Sequence, residues 1–248
     1  MDALEYAATY GLRLKEAKAQ KIGALAEATS VSMSMHAPYY VSLASDKEDV
    51  RERSKKRLVK ALRFAPLLNV KRIVFHAGGY VGHTPEEAYG LISQAVEEVW
   101  EEAGHLAEGA VLAPEIAGKK NAFGSPGEII RLCSEREGCI PTIDWAHLYA
   151  RTAGDINDRD SYARVLAIFE DALGDTFVKN MHFHVSGIIF TDAGEKAHRP
   201  LGSKWGPDIL PLVQLLSELG YDATIISETP EPIEGALYAK YLLEELEK

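Results

Sequence analysis

Metal-ligating side chains recur in this sequence at one kind of place, the end of a short apolar run. Val31–Met35 ends in His36, and IVF ends in His76. VLAP leads into Glu115, and TI leads into Asp144, with His147 three residues on. Met181 leads into His182, with His184 two residues further, and TIIS leads into Glu228. Imidazole and carboxylate without thiolate suit zinc, manganese or iron, not a cysteine-type structural zinc site. Carboxylates massed without cations would repel one another and be costly to desolvate, and metal ions relieve both costs. A lone histidine at a strand end is more often a hydrogen-bonded core residue than a ligand, so the signal lies in the recurrence. The chain has eight histidines, and only His83 and His105 fall away from these runs and from the segment after the sixth. His182 and His184 share one side of a strand by period 2. His182 is assigned as the ligand and His184 to packing or support. Glu195 and His198 lie three apart in GEKAHRPLG, a loop in which a turn would place both on one side.

The runs themselves read as strands at Ala3–Tyr6, Val31–Met35, Arg72–His76, Val111–Glu115, Pro141–Asp144, Met181–Val185 and Thr224–Glu228. Helical patterns lie between them, at about Lys15–Ala28, Lys47–Leu67, Pro85–Leu106, Pro126–Arg136, Arg159–Leu173, Pro207–Leu219 and Pro232–Glu247. Thr84-Pro85-Glu86-Glu87 and Ser125-Pro126-Gly127-Glu128 each combine a cap, a proline at the first helical position and a glutamate at the third. Strands alternating with helices imply βα units and a parallel sheet. The last strands are as apolar as the first, which points to an α/β barrel of the TIM (β/α)8 type. In such a barrel all strand C-termini share the face that carries the active site. Seven strands are read where a barrel needs eight. The chain opens almost inside a strand, so the first βα element is expected to be missing before Met1. No linker or repeat divides residues 1–248, which are read as a single domain.

Composition narrows the function classes. The 248 residues are 46% hydrophobic and 26% charged, with a net charge of −10. A pI near 5.3 argues against nucleic-acid binding through bulk charge, though not against a site in which cations reverse the local field. Cys133 and Cys139 form no CxxC and are read as reduced. No apolar run approaches the roughly 20 residues of a membrane span, and the N-terminus has no signal-peptide pattern. A cytoplasmic protein without a membrane partner is expected, and no protein partner can be inferred.

With these residues laid out, the chain resembles the endonuclease IV family of metal-dependent apurinic/apyrimidinic endonucleases, within the xylose-isomerase-like barrel superfamily. HAPYYVSLAS is similar to the family's His-x-x-Tyr motif, VFHAGGYVGH to its FHxG segment, PEIAGKKNAFG to its glutamate-x-x-alanine-glycine loop, and SETP to its closing glutamate motif. The pattern resembles an archaeal-type branch more than the bacterial one. The resemblance implies two or three metals, usually zinc, with manganese or iron as alternatives. By resemblance, His36 and His76 hold the first metal and Glu115 bridges it to the second. Asp144, His182 and Glu228 complete the second, while His147 and His198 hold the third. Two departures stand out. Asp144-Trp145-Ala146-His147 keeps the ligands of a motif whose two central residues differ in the family. Lys196 stands where the family has an aspartate, and Glu195 takes its place as third-site ligand if the chain shifts by one residue.

The activity implied is cleavage of DNA at abasic sites in base excision repair, by a metal-activated hydroxide. Glu115 and Glu228 are the catalytic carboxylates, and DNA with abasic sites is the partner. Tyr39 and Tyr40 are candidates to stack beside an abasic gap, and Lys119 and Lys120 to contact phosphate. The alternative is a single-metal sugar isomerase or epimerase using Glu115, Asp144, His182 and Glu228, with the two glutamates moving protons beside a carbonyl. His36, His76, His147 and His198 would have no task in that enzyme.

Overall fold

The computed structural model describes residues 1–246, and these fall into two compact units. One comprises Met1–Glu115 with Ala122–Ile140, and the other Ile116–Asn121 with the chain from Pro141 onward.

In the first unit, four strands, β1 (Ala3–Ala7), β2 (Ser32–His36), β3 (Val70–Phe75) and β4 (Val111–Pro114), form one sheet in sequence order. All neighbours are parallel. Helices α1 (Glu16–Ala28), α2 (Glu48–Phe64), α3 (Pro85–Ala103) and α4 (Pro126–Glu135) alternate with the strands or follow them. A parallel sheet needs apolar side chains on both faces, and Ile73, Val74 and Phe75 are fully buried in succession. Leu58 and Leu62 of α2 and Ile92 and Val96 of α3 are buried at i, i+4 spacing. Gly23 lets α1 lie close to the turn after α2, since a Cβ there would come within 2.6 Å of the Leu67 carbonyl oxygen. Register places Glu5, Ser34 and Arg72 side by side on three strands, and Ser34 Oγ donates to Glu5 Oε2 at 2.7 Å. This polar row shares its face with His36, two residues beyond Ser34. Burial pushes the Arg72 guanidinium down to about 10.

The second unit holds β5 (Ile143–Asp144) and β6 (His182–Val185), with helices α5 (Trp145–Arg151), α6 (Arg159–Leu173) and α7 (Asp175–Val178) between them. The hairpin β7 (Gly187–Thr191) and β8 (Gly194–Arg199) follows, then α8 (Leu210–Leu219), β9 (Thr224–Ser227) and α9 (Pro232–Leu246). Strands β5, β6 and β9 make a parallel sheet in that order, and β7 pairs β8 antiparallel. Trp145 anchors α5 through edge contacts with Tyr162 and Phe183, at centroid distances of 5.0 and 5.5 Å.

All seven expected strands form, within a residue or two at each end. Both expected capping boxes are present, at Thr84–Glu87 and Ser125–Glu128. Three expectations are corrected. The segment holding Glu195 and His198 is not a loop with a turn but strand β8, because Ile188 and Phe190 alternate toward the interior and Thr191–Gly194 closes a hairpin. Helix α8 begins at Leu210, not Pro207, since Asp208 Oδ1 accepts from the Leu210 amide at 3.0 Å and Pro211 opens the first turn. A helix not expected from the sequence, α5, follows Asp144 at once. The end of the helix expected over 232–247 falls at Glu247, outside the described residues. No helix among the described residues is long and apolar enough to cross a membrane.

Candidate metal centre

In the first unit, β2 and β3 lead to His36 and His76, and β4 leads to Glu115. His36 is the last residue of its strand, and Glu115 N donates to the Phe75 carbonyl, which fixes the strand end beside it. Glu115 is buried, and its Oε2 lies 3.0 Å from His36 Nε2 and 3.2 Å from His76 Nε2. The ligand-type atoms of these three residues all lie within 4.8 Å of one another. The other nitrogen of His36, Nδ1, sits 2.8 Å from the Ala37 carbonyl oxygen. A carbonyl only accepts, so Nδ1 carries a proton, and Nε2 is the nitrogen that faces the Glu115 carboxylate.

In the second unit, Asp144 caps α5, and its Oδ1 accepts from the His147 amide at 2.6 Å. Its Oδ2 is buried and accepts no hydrogen bond, and His147 Nδ1 stands 3.4 Å away. The β5–β6 register sets Asp144 directly beside His184. His184 Nδ1 lies 3.3 Å from Glu228 Oε1. Asp144, His184 and Glu228 present atoms within 4.8 Å of one another. His182, the ligand expected on β6, instead shares its neighbourhood with His184, ring to ring at 5.5 Å. Period 2 leaves the two histidines equivalent in the sequence, and it is cross-strand register that distinguishes them.

A second set gathers around His147. Its Nδ1 meets the Ile116 carbonyl oxygen at 3.1 Å, and its Nε2 faces Glu195 Oε2 at 2.8 Å and His198 Nε2 at 3.3 Å. His198 Nδ1 lies 2.8 Å from the Glu228 carbonyl oxygen. Both rings thus direct Nδ1 at a backbone carbonyl, and their Nε2 atoms converge with the Glu195 carboxylate. His147, His198 and Glu228 also present ligand atoms within 4.8 Å. The position of Glu195 follows from a bulge. Ile189 pairs Ala197 and Phe190 pairs Glu195, so Lys196 is an extra residue in β8. The extra residue changes side-chain parity and brings Glu195 to the face of His198, while Lys196 points to solvent. Gly118 makes room for this carboxylate, since a Cβ there would collide with the Glu195 side chain.

The residues expected to touch DNA are exposed. Tyr39 is 65% exposed, with its ring 5.8 Å from that of His36, and Tyr40 is 44% exposed beneath the Arg57 guanidinium. Lys119 and Lys120 are exposed on a segment that Arg151 clamps by donating to the Lys119 carbonyl at 2.7 Å.

The three groups fit divalent cations. Each gathers imidazole and carboxylate atoms, and the Nδ1 protons of His36, His147 and His198 point at backbone carbonyls, as ligating imidazoles require.

The family model for the xylose isomerase-like TIM barrel matches residues 1–247. A protein of Methanocaldococcus jannaschii described as uncharacterized is 33% identical over 93% of this chain and 82% of its own length. A protein named probable endonuclease 4, from Methanosphaerula palustris, is 29% identical over 60% of this chain and about half (52%) of its own length. Among solved structures, endonuclease IV from Thermus thermophilus aligns with a TM-score of 0.78 at 22% identity, over 99% of this chain and 90% of that one. A D-tagatose 3-epimerase-like protein aligns with a TM-score of 0.76 at 20% identity, over 99% of this chain and 88% of that one. At these identities the two structures establish the fold and nothing further. With the model spanning nearly every residue, the chain belongs to the xylose isomerase-like TIM barrel family, and its relatives include proteins named as endonuclease 4.

Proposed function

We propose that this protein is a metal-dependent phosphodiesterase that cleaves DNA at abasic sites in cytoplasmic base excision repair, within a single domain. One observation carries the reading. Three imidazoles, His36, His147 and His198, each have Nδ1 against a backbone carbonyl and Nε2 against another acceptor. His36, His76 and Glu115 form one ligand set, and Asp144, His147, His184, Glu195, His198 and Glu228 supply the others. His182 keeps its place as a candidate beside His184. When bound, zinc, or manganese or iron in its stead, supplies Lewis acidity at the phosphoryl oxygens and a nucleophile at neutral pH.

The chain's own residues set the geometry for that chemistry. Ala37 O, Ile116 O and Glu228 O hold the three rings in one tautomer. The Glu115 and Glu228 carboxylates lie 3.0 Å from His36 and 3.3 Å from His184 and are the catalytic candidates. Tyr39 offers an exposed ring against a base or an abasic gap, and Lys119 and Lys120 offer ammonium groups to phosphate.

A second reading, a single-metal sugar epimerase, draws on Asp144, His184 and Glu228 and on the likeness in fold to the epimerase-like protein. It leaves His36, His76, His147 and His198 without a task, which favours the diesterase. The test is incubation of the zinc-loaded protein with a duplex carrying one tetrahydrofuran abasic analogue. Incision on the 5′ side of the analogue, lost in Glu115→Gln, is the expected result. An intact duplex beside epimerisation of a ketose would overturn the reading.

A further inference from the structure

Outside the ligand sets, the first unit has a cavity of about 180 Å3, between the segment after β1 and helix α2. Tyr10, Arg13, Met35, Pro38, Arg57 and Lys60 are among its lining residues. Three cations border it and no carboxylate does, in a chain whose net charge is −10. Three other cations of α2 are matched: Arg53 pairs Asp49 at 2.6 Å, Lys55 pairs Glu98, and Arg63 pairs Glu102 at 3.0 Å. Arg13, Arg57 and Lys60 form no ion pair with a described carboxylate.

Two of the three cations are held in place by neutral partners. Lys60 Nζ donates to the Leu12 carbonyl at 3.0 Å. The Arg57 guanidinium lies 4.4 Å from the Tyr40 ring centroid and donates to the Tyr40 carbonyl at 3.5 Å. Each of these bonds uses one donor, so the rest of the guanidinium fork and of the ammonium stays available. Cations left unmatched around a cavity several times the roughly 30 Å3 share of one water are arranged for an anion.

We propose that this pocket is a phosphate-binding subsite, in which Arg57 and Lys60 grip and Arg13 closes over a phosphate other than the one attacked. The proposal rests on the functional reading above only for the carrier of that phosphate. The carrier is a neighbouring nucleotide of the DNA strand if the protein is a diesterase, and a phosphorylated sugar if it is an epimerase.

The experiment compares the metal-loaded wild type with Arg57→Gln/Lys60→Gln and, separately, Arg13→Gln. Inorganic phosphate and fructose 6-phosphate are titrated by calorimetry, and an abasic-analogue duplex by fluorescence anisotropy across a salt series. The metal ligands are common to all three proteins, so differences between them report on the pocket. Expected is phosphate binding at least about tenfold weaker in the double variant, and a duplex salt slope smaller by about one for each phosphate the variant no longer neutralises. An effect on duplex alone assigns the DNA strand, and an effect on fructose 6-phosphate alone assigns the sugar. A wild type that ignores duplex while the phosphate difference persists refutes the diesterase reading and leaves the subsite standing. Equal binding of all three probes by all three proteins overturns the subsite. If the double variant melts early, exposed Arg13 decides: Arg13→Gln must weaken phosphate binding, and unchanged binding overturns the proposal.

Discussion

A histidine's role depends on where its second nitrogen points. In His36, His147 and His198 that nitrogen meets a backbone carbonyl, which leaves Nε2 of His36 facing Glu115 and Nε2 of His147 facing Glu195 and His198. Contacts of 2.8 and 3.3 Å between these atoms call for a proton or a metal cation shared among them. Glu195→Gln keeps the volume and removes the charge beside His147. The expected outcome is at least about tenfold weaker retention of one metal equivalent with the remaining metal unaffected, measured by competition with a chelating dye. Full retention would show that Glu195 is no ligand. Most of this chemistry is legible in residue types alone, since His36, His76, Glu115, Asp144, His147 and Glu228 all sit where apolar runs stop. The part of His184 is not legible. Residues 182 and 184 share a face, and it is the pairing of Asp144 with His184 that brings His184 beside that carboxylate.

At the scale of the element, local signals carried the first unit well. Thr84 and Ser125 cap their helices in the reciprocal manner expected from cap, proline and glutamate spacing. Ser125→Ala should lower unfolding free energy by about 1 kcal/mol, read as a fall in urea midpoint at constant slope. No change would mean that the cap bond at 3.4 Å contributes nothing. The β7–β8 hairpin was among the elements hidden from sequence. Strand β8 carries charged and small residues, and its bulge breaks the period-2 pattern that identifies a strand. That same break converts a sequence departure into a structural match, because the extra Lys196 shifts Glu195 by the one residue needed to face His147.

For the whole molecule, the proposed activity would require an acidic chain to concentrate positive charge locally. Metal held by the ligand sets would do this, and the cations around the Arg57–Lys60 pocket would add to it. The βα alternation and the family it belongs to were readable from periodicity and strand-end chemistry, whereas the distribution of charge over surfaces was not. Nothing in the spacing of Arg13, Arg57 and Lys60 shows that they border one cavity. The thiols complete the description. Burial pushes Cys139 up to about 12 and Cys133 well above its ordinary range. The folded state therefore favours neutral thiols, and this contribution is whole below about pH 9 and declines as pH rises toward 12. Native protein at pH 8 should resist iodoacetamide at Cys139 and lose that resistance in urea, as mass spectrometry will show. Rapid native labelling of Cys139 would contradict its buried placement.

The central claim is that this chain holds a cluster of metal ions and not a single one. It is tested most directly by elemental analysis of the dialysed protein, with wild type run beside His76→Ala. More than one equivalent of zinc, or of manganese or iron, per chain is expected in the wild type, with the loss of about one equivalent in the variant. A single equivalent that does not respond to His76 would contradict it.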